Sequence, residues 1–333
     1  MSINMAPPLA LPVLAVLLAA LCIGCVAVAA RPADRVQCVA HRGFSAVAPE
    51  NTLAAVRKAI EAGADGCEFD VRASRDGVAV LMHDAKVDRT TNAEGGVGTF
   101  TAEELQHLDA GSWKGEAFAG EPVPTLLQVL RAMKGTGCTA VVEVKQDGIA
   151  KAVVDAVRGT AMGEATVVIS FSDRALEDVH GLDPKIPCAL LVGGKMKGAV
   201  AEWAAHLAER AKTCGATLLD LHHEMLSPEL IADLNRRGLA VWCWTVNDPD
   251  QMKTLAAWGV EAVTTDRPDL MAEPRKRDRQ NVNASTTVSE YRSWKSALSM
   301  VASRMTSTMA KTAPPMHVRL RPRITRPQPH EPM

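Results

Sequence analysis

The stretch "GCEFDVRASRDGVAVLMHD", residues 66–84, holds two short apolar strands joined by a tight turn. Alternate side chains of a strand share a face. Glu68 and Asp70 therefore point one way, and Cys67, Phe69 and Val71 the other. Only Arg75-Asp76-Gly77 separates the two strands. A parallel crossover needs roughly a dozen residues or more, and Asp-Gly is a hairpin-turn dipeptide. The second strand, residues 78–82, is thus expected to run back antiparallel and to place His83 roughly opposite Glu68. Two unpaired carboxylates on a buried face repel each other and are costly to desolvate, so something positive is expected between them.

Working outward, the chain alternates strand and helix. Strand-like runs occur at "RVQCVAH", "GCEFDVR", "TAVVEVK", "ATVVISF", "IPCALLV", "ATLLDLH", "LAVWCWTV" and "VEAVTT". Helical stretches separate them, such as "PENTLAAVRKAIEAG" and "AVAEWAAHLAERAKTCG". Ser227-Pro228-Glu229 and Asp248-Pro249-Asp250 are helix openings, and Gly63, Gly215, Gly238 and Gly259 are helix stops. Eight strands with intervening helices over this length predict an α/β fold, a TIM (β/α)8 barrel, with a doubly wound open sheet as runner-up. The excursion after the hairpin runs to Pro124 before the next helix. A loop that long is usually functional. It reads as a small inserted cap, about residues 77–124, between the second strand and its helix.

Polar residues gather at strand ends, which in a barrel converge on one mouth. His41-Arg42-Gly43 ends the first strand, and Glu68 and Asp70 lie on the second. The hairpin delivers His83, and Glu143 and Lys145 share a face of the third barrel strand. Trp244-Thr245-Val246-Asn247 ends the seventh, and Thr265-Asp266 the eighth. Singly, each has a bland reading: a hydrogen-bonded histidine, a surface Glu-x-Lys pair, or Glu50 favouring a helix N-terminus. Together they do not, because so many charges do not collect at apolar strand ends by accident. Three carboxylates suit Mg²⁺ or Ca²⁺ better than zinc. Two histidines suit a general acid and a general base, and Arg42 with Lys145 suits a phosphate.

The stretch "AHRGFSAVAPENTLAAVRKAIEAGADGCEFDVRASRDGVAVLMHD" resembles the glycerophosphodiester phosphodiesterases. The motifs are His41-Arg42-Gly43, Pro49-Glu50-Asn51-Thr52, Glu68-Phe69-Asp70, His83-Asp84, Asp88-Arg89-Thr90-Thr91, Glu143-Val144-Lys145 and Trp244-Thr245-Val246-Asn247. They cover about residues 36–270. The resemblance implies a TIM barrel with an inserted cap, and metal-dependent hydrolysis of glycerophosphodiesters to glycerol 3-phosphate and an alcohol. It implies that Glu68, Asp70 and Glu143 hold one divalent cation, Ca²⁺ or Mg²⁺. By the same resemblance His41 and His83 are the acid–base pair, and Arg42 and Lys145 bind the phosphate with Glu50 in support. Trp244, with Trp113 and Phe118 of the cap, is expected to cover a glycerol backbone or a choline head. The neighbouring reading is a lysophospholipase D or sphingomyelinase D-like phosphodiesterase of the same superfamily. A non-catalytic binding protein on the same barrel is the reading from another class.

The two ends differ from the middle. Residues 1–30 contain an apolar run from Leu9 to Ala30 ending in small residues. It reads as a secretory signal peptide, with an uncleaved membrane anchor and a lipoprotein site at Cys25 as the next readings. Export is expected: periplasmic, secreted or envelope-anchored. The barrel is expected over residues 36–272. The tail, residues 273–333, is basic and proline-rich, with twelve Lys or Arg from residue 274 onward against three Asp or Glu. Disorder is expected there, with weak membrane or cell-envelope contact through either end. The formal net charge of −1 gives no reason to expect nucleic acid. The six cysteines beyond the first thirty residues form no CxxC pair and are expected to be buried thiols.

Overall fold

A computed structural model describes residues 36–195 and 198–271. The apolar N-terminal run and the basic tail, with the readings attached to them, lie outside these residues. The barrel begins with β1 (Gln37–Ala40), α1 (Leu53–Glu61), β2 (Gly66–Ala73) and β3 (Ala79–Leu81). The insertion carries the short helix α2 (Ala102–Gln106) and leads to α3 (Leu126–Met133). Then come β4 (Thr139–Val144), α4 (Ala150–Thr160), β5 (Thr166–Ser170), α5 (Asp173–Leu182), β6 (Cys188–Val192) and α6 (Val200–Thr213). The series closes with β7 (Leu218–His222), α7 (Pro228–Arg236), β8 (Ala240–Trp244), α8 (Pro249–Trp258) and β9 (Ala262–Thr265).

Eight of these strands pair parallel in a closed ring, because β1 bonds to both β2 and β9. The molecule is a (β/α)8 barrel. β3 is the exception: it runs antiparallel to β2, with Val71 opposite Leu81 and Ala73 opposite Ala79. That register sets His83 level with Phe69, one residue from the expected position. β1 pairs only with Gly66 and Cys67 of β2. Above that level the loop after β1 takes over the edge of β2, where the Gly43 N–H donates to the Glu68 carbonyl at 3.1 Å, and β3 covers its upper end.

Residue alternation separates two cores. Phe69, Val71, Val142 and Leu219 face outward onto the helices, while Val39, Val141, Ile169, Leu218 and Trp242 fill the barrel. Glu68, Asp70, Glu143 and Asp220 fall on the inner face. The insertion has its own core of Val80, Met82, Val87, Val97, Leu105 and Val123, built on the far face of β3. Helix starts follow the sequence signals. Thr52, Ser172, Ser227 and Asp248 each accept a hydrogen bond from the first turn, and Thr101 and Thr125 form capping boxes. The cysteines Cys38, Cys67, Cys138, Cys188, Cys214 and Cys243 are all buried. Burial pushes the Cys138 thiol up to about 12, so it packs as a small hydrophobe.

Candidate active site

The loop after β1 is shaped by backbone that few residues adopt. Gly43 has φ 81°, and a Cβ there would lie 2.6 Å from Ala55 of α1. Only glycine allows this approach. Arg42 (φ 53°) and Asn51 (φ 59°) are left-handed without being glycine. Such strain persists where the surroundings over-determine it, and here both residues grip the acids of β2. The Arg42 backbone N–H donates to Glu68 Oε2 at 2.8 Å. The Asn51 amide donates to Asp70 Oδ2 at 2.8 Å, and its carbonyl accepts from the Asp70 N–H at 3.0 Å.

Glu68, Asp70 and Glu143 are 2%, 1% and 9% exposed. One oxygen from each lies within 4.8 Å of the others. Glu68 Oε1 is buried and has no hydrogen-bond partner. Burial, then Asp70 and Glu143, raises the Glu68 carboxyl well above its ordinary value. Burial and Asp70 push Glu143 up to about 7. Asp70 is held low, because Arg42 and Lys145 outweigh its burial. An orphaned oxygen beside two crowded carboxylates suits a hard, oxygen-binding cation. The three residues fit a divalent cation.

The two cationic side chains lie on the acids. Lys145 Nζ is 2.7 Å from Glu143 Oε1 and 3.3 Å from Asp70 Oδ1. Arg42 reaches Glu50 Oε1 at 2.9 Å through NH1 and Asp70 Oδ2 at 3.4 Å through Nε. Arg42, Lys145, the acid cluster and Glu50 therefore form one network.

Each histidine is oriented by a carboxylate at Nδ1. His41 Nδ1 lies 2.7 Å from Asp266 Oδ1, and His83 Nδ1 lies 2.6 Å from Asp84 Oδ1. Asp266 also accepts from Ser45 Oγ at 2.9 Å and Asn247 Nδ2 at 2.7 Å. These bonds, that from His41 foremost, outweigh burial and hold Asp266 far below the usual carboxylate range. A carboxylate accepting at Nδ1 fixes the proton there and leaves Nε2 free for chemistry. Arg72 anchors the His83 backbone by donating to its carbonyl from Nε at 2.9 Å and NH2 at 2.8 Å.

Across the mouth, Trp244 forms an aromatic wall. Its ring meets Phe171 edge-on at 5.5 Å and His222 at 5.0 Å, and His222 stacks on His223 at 4.7 Å. Trp244 Nε1 donates to the Asp220 carbonyl at 3.1 Å. The cap approaches through Lys114, whose Nζ donates to the Ser45 carbonyl at 2.7 Å. Trp113 is exposed, with Nε1 on the Ala110 carbonyl.

The structure places all nine expected site residues at this end of the barrel. Several partners were not identified from sequence: Asp84, Asp266, Asn247, Asn51 and Arg89 as orienting groups, and Phe171 and His222 as wall. Asp84 could have been found as the neighbour of His83. Asp266 could have been found only by closing the barrel.

Residues 41–270 match the sequence profile of the glycerophosphoryl diester phosphodiesterase family. The chain is 37% identical over 238 residues to a glycerophosphodiester phosphodiesterase of Caldanaerobacter subterraneus subsp. tengcongensis, covering 70% of this chain and 95% of the relative. It is 32% identical over 261 residues to one of Bacillus subtilis, covering 73% and 87%. Among solved structures, an Oleispira antarctica phosphodiesterase in complex with the product sn-glycerol-3-phosphate superposes with a TM-score of 0.64. That pair shares 30% identity, over 72% of this chain and 96% of the other.

Proposed function

The chain belongs to the glycerophosphoryl diester phosphodiesterase family, and on that premise we propose that it hydrolyses glycerophosphodiesters to sn-glycerol 3-phosphate and a free alcohol. The observation that carries this reading is the pairing of the acid cluster with two carboxylate-oriented histidines at one mouth.

Glu68, Asp70 and Glu143 would hold the cation, Ca²⁺ or Mg²⁺. That ion would supply Lewis-acid neutralisation of the phosphodiester oxygens. Arg42 and Lys145 bring fixed positive charge to the same oxygens and to the charge that grows on them in the transition state. Nε2 of one histidine takes a proton from the attacking hydroxyl, and Nε2 of the other gives one to the leaving alkoxide. The carboxylate at Nδ1 keeps a proton on that nitrogen, which leaves Nε2 bare on the base and stabilises the imidazolium on the acid. Trp244 and Phe171 shield one side of the mouth and offer apolar contact to a glycerol backbone or to the alcohol.

The apolar run at residues 9–30 supports export of the enzyme. The excess of basic over acidic residues in the tail supports a weak contact with anionic envelope surfaces.

The test is to incubate the protein with glycerophosphocholine, with Ca²⁺ or Mg²⁺ or after chelation, and to assay glycerol 3-phosphate. Release that depends on cation supports the reading. No release with any glycerophosphodiester, or full activity after chelation, overturns it.

A further inference from the structure

The motif Asp88-Arg89-Thr90-Thr91 lies in the insertion and has no part in the proton transfers or charge neutralisation described above. We infer that Arg89 is a positioning residue, tying the inserted segment to His83 through Asp84 and to Arg42 through Glu50. The inference rests on the roles given above to His83 and Arg42.

The contacts form one continuous chain. Arg89 Nε donates to Asp84 Oδ2 at 2.6 Å, and Asp84 Oδ1 meets His83 Nδ1. Arg89 NH1 and NH2 donate to Glu50 Oε2 at 2.9 Å and Oε1 at 2.8 Å. Glu50 Oε1 in turn accepts from Arg42 NH1. One planar guanidinium therefore serves two carboxylates from two edges, and each carboxylate holds one functional side chain. A lysine ammonium cannot do this, because it is a point charge without a fork.

A surface ion pair is ordinarily worth little, and Arg89 is 46% exposed. Glu50 is only 13% exposed, however, and its bond to Arg89 is bidentate. Hydrogen bonds from Arg89 and then His83 pull the Asp84 carboxyl far below its usual range. What Arg89 contributes is orientation more than stability. Asp84 is half-buried and on a loop, and without a bond to Oδ2 its carboxylate has other rotamers to visit.

The rest of the motif explains why Arg89 points where it does. Val87 is fully buried in the insertion core. Asp88 Oδ1 accepts from the Gly95 N–H at 2.8 Å. Thr90 is buried with its hydroxyl on Met82 sulfur, and Thr91 Oγ1 donates to the Val87 carbonyl at 2.9 Å. These bonds knit the loop to the insertion and leave Arg89 as its arm toward the barrel. Docking of the insertion thus completes the orientation of both His83 and Arg42.

The experiment measures steady-state kinetics of the full chain with glycerophosphocholine at saturating cation, for Arg89→Lys and Arg89→Ala, each also in Asp84→Asn and Glu50→Gln backgrounds. Arg89→Lys should lower kcat at least about tenfold, a modest share of the roughly hundredfold loss that an ångström of misplacement can cause. It should also raise KM, with an unchanged thermal midpoint. In the Asp84→Asn background the kcat effect should disappear and the KM effect remain; in the Glu50→Gln background the KM effect should disappear. Methylguanidinium, but not methylammonium, should partly restore kcat to Arg89→Ala. The inference is overturned if Arg89→Lys keeps kcat and KM within about twofold, which is inside the range of an ordinary surface pair. It is also overturned if its losses are the same in all backgrounds, which marks a general effect on folding. If Arg89→Lys is too unstable to assay, loss of coupling between Asp84→Asn and Glu50→Gln in kinetics of the Arg89→Ala protein with methylguanidinium decides the point. His83→Ala is the control: full activity there would defeat the functional reading itself, a different failure.

Discussion

Asp266 Oδ1 lies 2.7 Å from His41 Nδ1, a contact made where the last strand of the barrel meets the first. Register creates it: Ala40 of β1 is opposite Thr265 of β9, so the next residue of each strand is also side by side. Asn247 completes the arrangement. Its Nδ2 donates to Asp266 Oδ2, and its Oδ1 accepts from the Asp266 N–H at 2.9 Å.

That contact gives the first prediction. Asp266→Asn keeps the shape but replaces an acceptor with a group that can present N–H to Nδ1. The His41 proton then moves to Nε2, the wrong nitrogen for a base. We expect kcat to fall at least about a hundredfold, the lower end for loss of acid–base catalysis, with a similar loss for His41→Ala. Steady-state turnover of glycerophosphocholine checks this. A near-normal Asp266→Asn would mean that the pair only braces the barrel seam.

The second prediction concerns pH and the cation-free protein. Burial and neighbouring acids raise Glu68 and Asp220 well above their ordinary values, and Glu143 from 4.5 to about 7. An acid whose folded pKa is raised supports the fold below its unfolded pKa and loses that support as pH climbs through the folded one. Without cation, the thermal midpoint should therefore drop as pH rises from about 4.5 through 7. Asp70 and Glu50 are shifted the other way, and their contributions are lost only below the ordinary carboxylate range. Ca²⁺ or Mg²⁺ competes with protons for the acids, so added cation should raise the midpoint more at pH 8 than at pH 5. A cation effect of equal size at both pH values would count against the cluster as the site.

Much of this was legible because parallel barrel strands are buried on both faces and read as plain apolar runs. Glu68, Asp70 and Glu143 stood out against that background. Asp220 carries the same signature, an acid on the inner face of "LLDLH", and could have been read the same way; in the structure its Oδ1 is buried without a partner. The partners were harder. His41 and Asp266 are 225 residues apart, and only ring closure joins them. Asn51 reaches Asp70 because of its left-handed backbone, for which "PENT" gives no periodic signal. Lys145 was expected on phosphate, and in the structure its Nζ rests on Asp70 and Glu143.

The third prediction divides the acids. From sequence alone, Asp70→Asn is expected to weaken cation binding and leave the fold intact, because relieving crowded carboxylates need not destabilise the cation-free protein. The structure changes that for Asp70, which compensates Arg42 and Lys145 and is bonded twice by Asn51. Asp70→Asn should destabilise the cation-free protein by roughly 1–3 kcal/mol, the cost of breaking a buried charged hydrogen bond. Glu68→Gln removes a charge whose Oε1 has no partner, and the amide oxygen can still accept from the Arg42 N–H. It should leave the cation-free protein as stable or more stable above pH 7. Both variants should lose cation affinity by calorimetry. Equal destabilisation by the two would contradict the unequal pairing seen here.

The fourth prediction is a substrate preference. Among the described residues the mouth offers two cations and a cation site to one phosphate, and Trp244, Phe171 and His222 form an aromatic wall there. Phe171 is exposed and Trp244 half-buried, so the wall is open at its outer edge. An aromatic face of that size can cover a glycerol backbone or a small alcohol head but not two acyl chains. Deacylated glycerophosphodiesters should therefore turn over faster than lipids with intact chains. Trp244→Ala should raise KM roughly three- to tenfold, matching the worth of one aromatic contact, with cation affinity unchanged. Trp244→Phe keeps the face but loses the bond from Nε1 to the Asp220 carbonyl, so it should fall between the two. The deciding measurement sets glycerophosphocholine against lysophosphatidylcholine and sphingomyelin under one set of conditions. Faster cleavage of either lipid would show that the open edge of the wall accepts a chain, and would move the enzyme to the lysophospholipase D or sphingomyelinase D side of its superfamily.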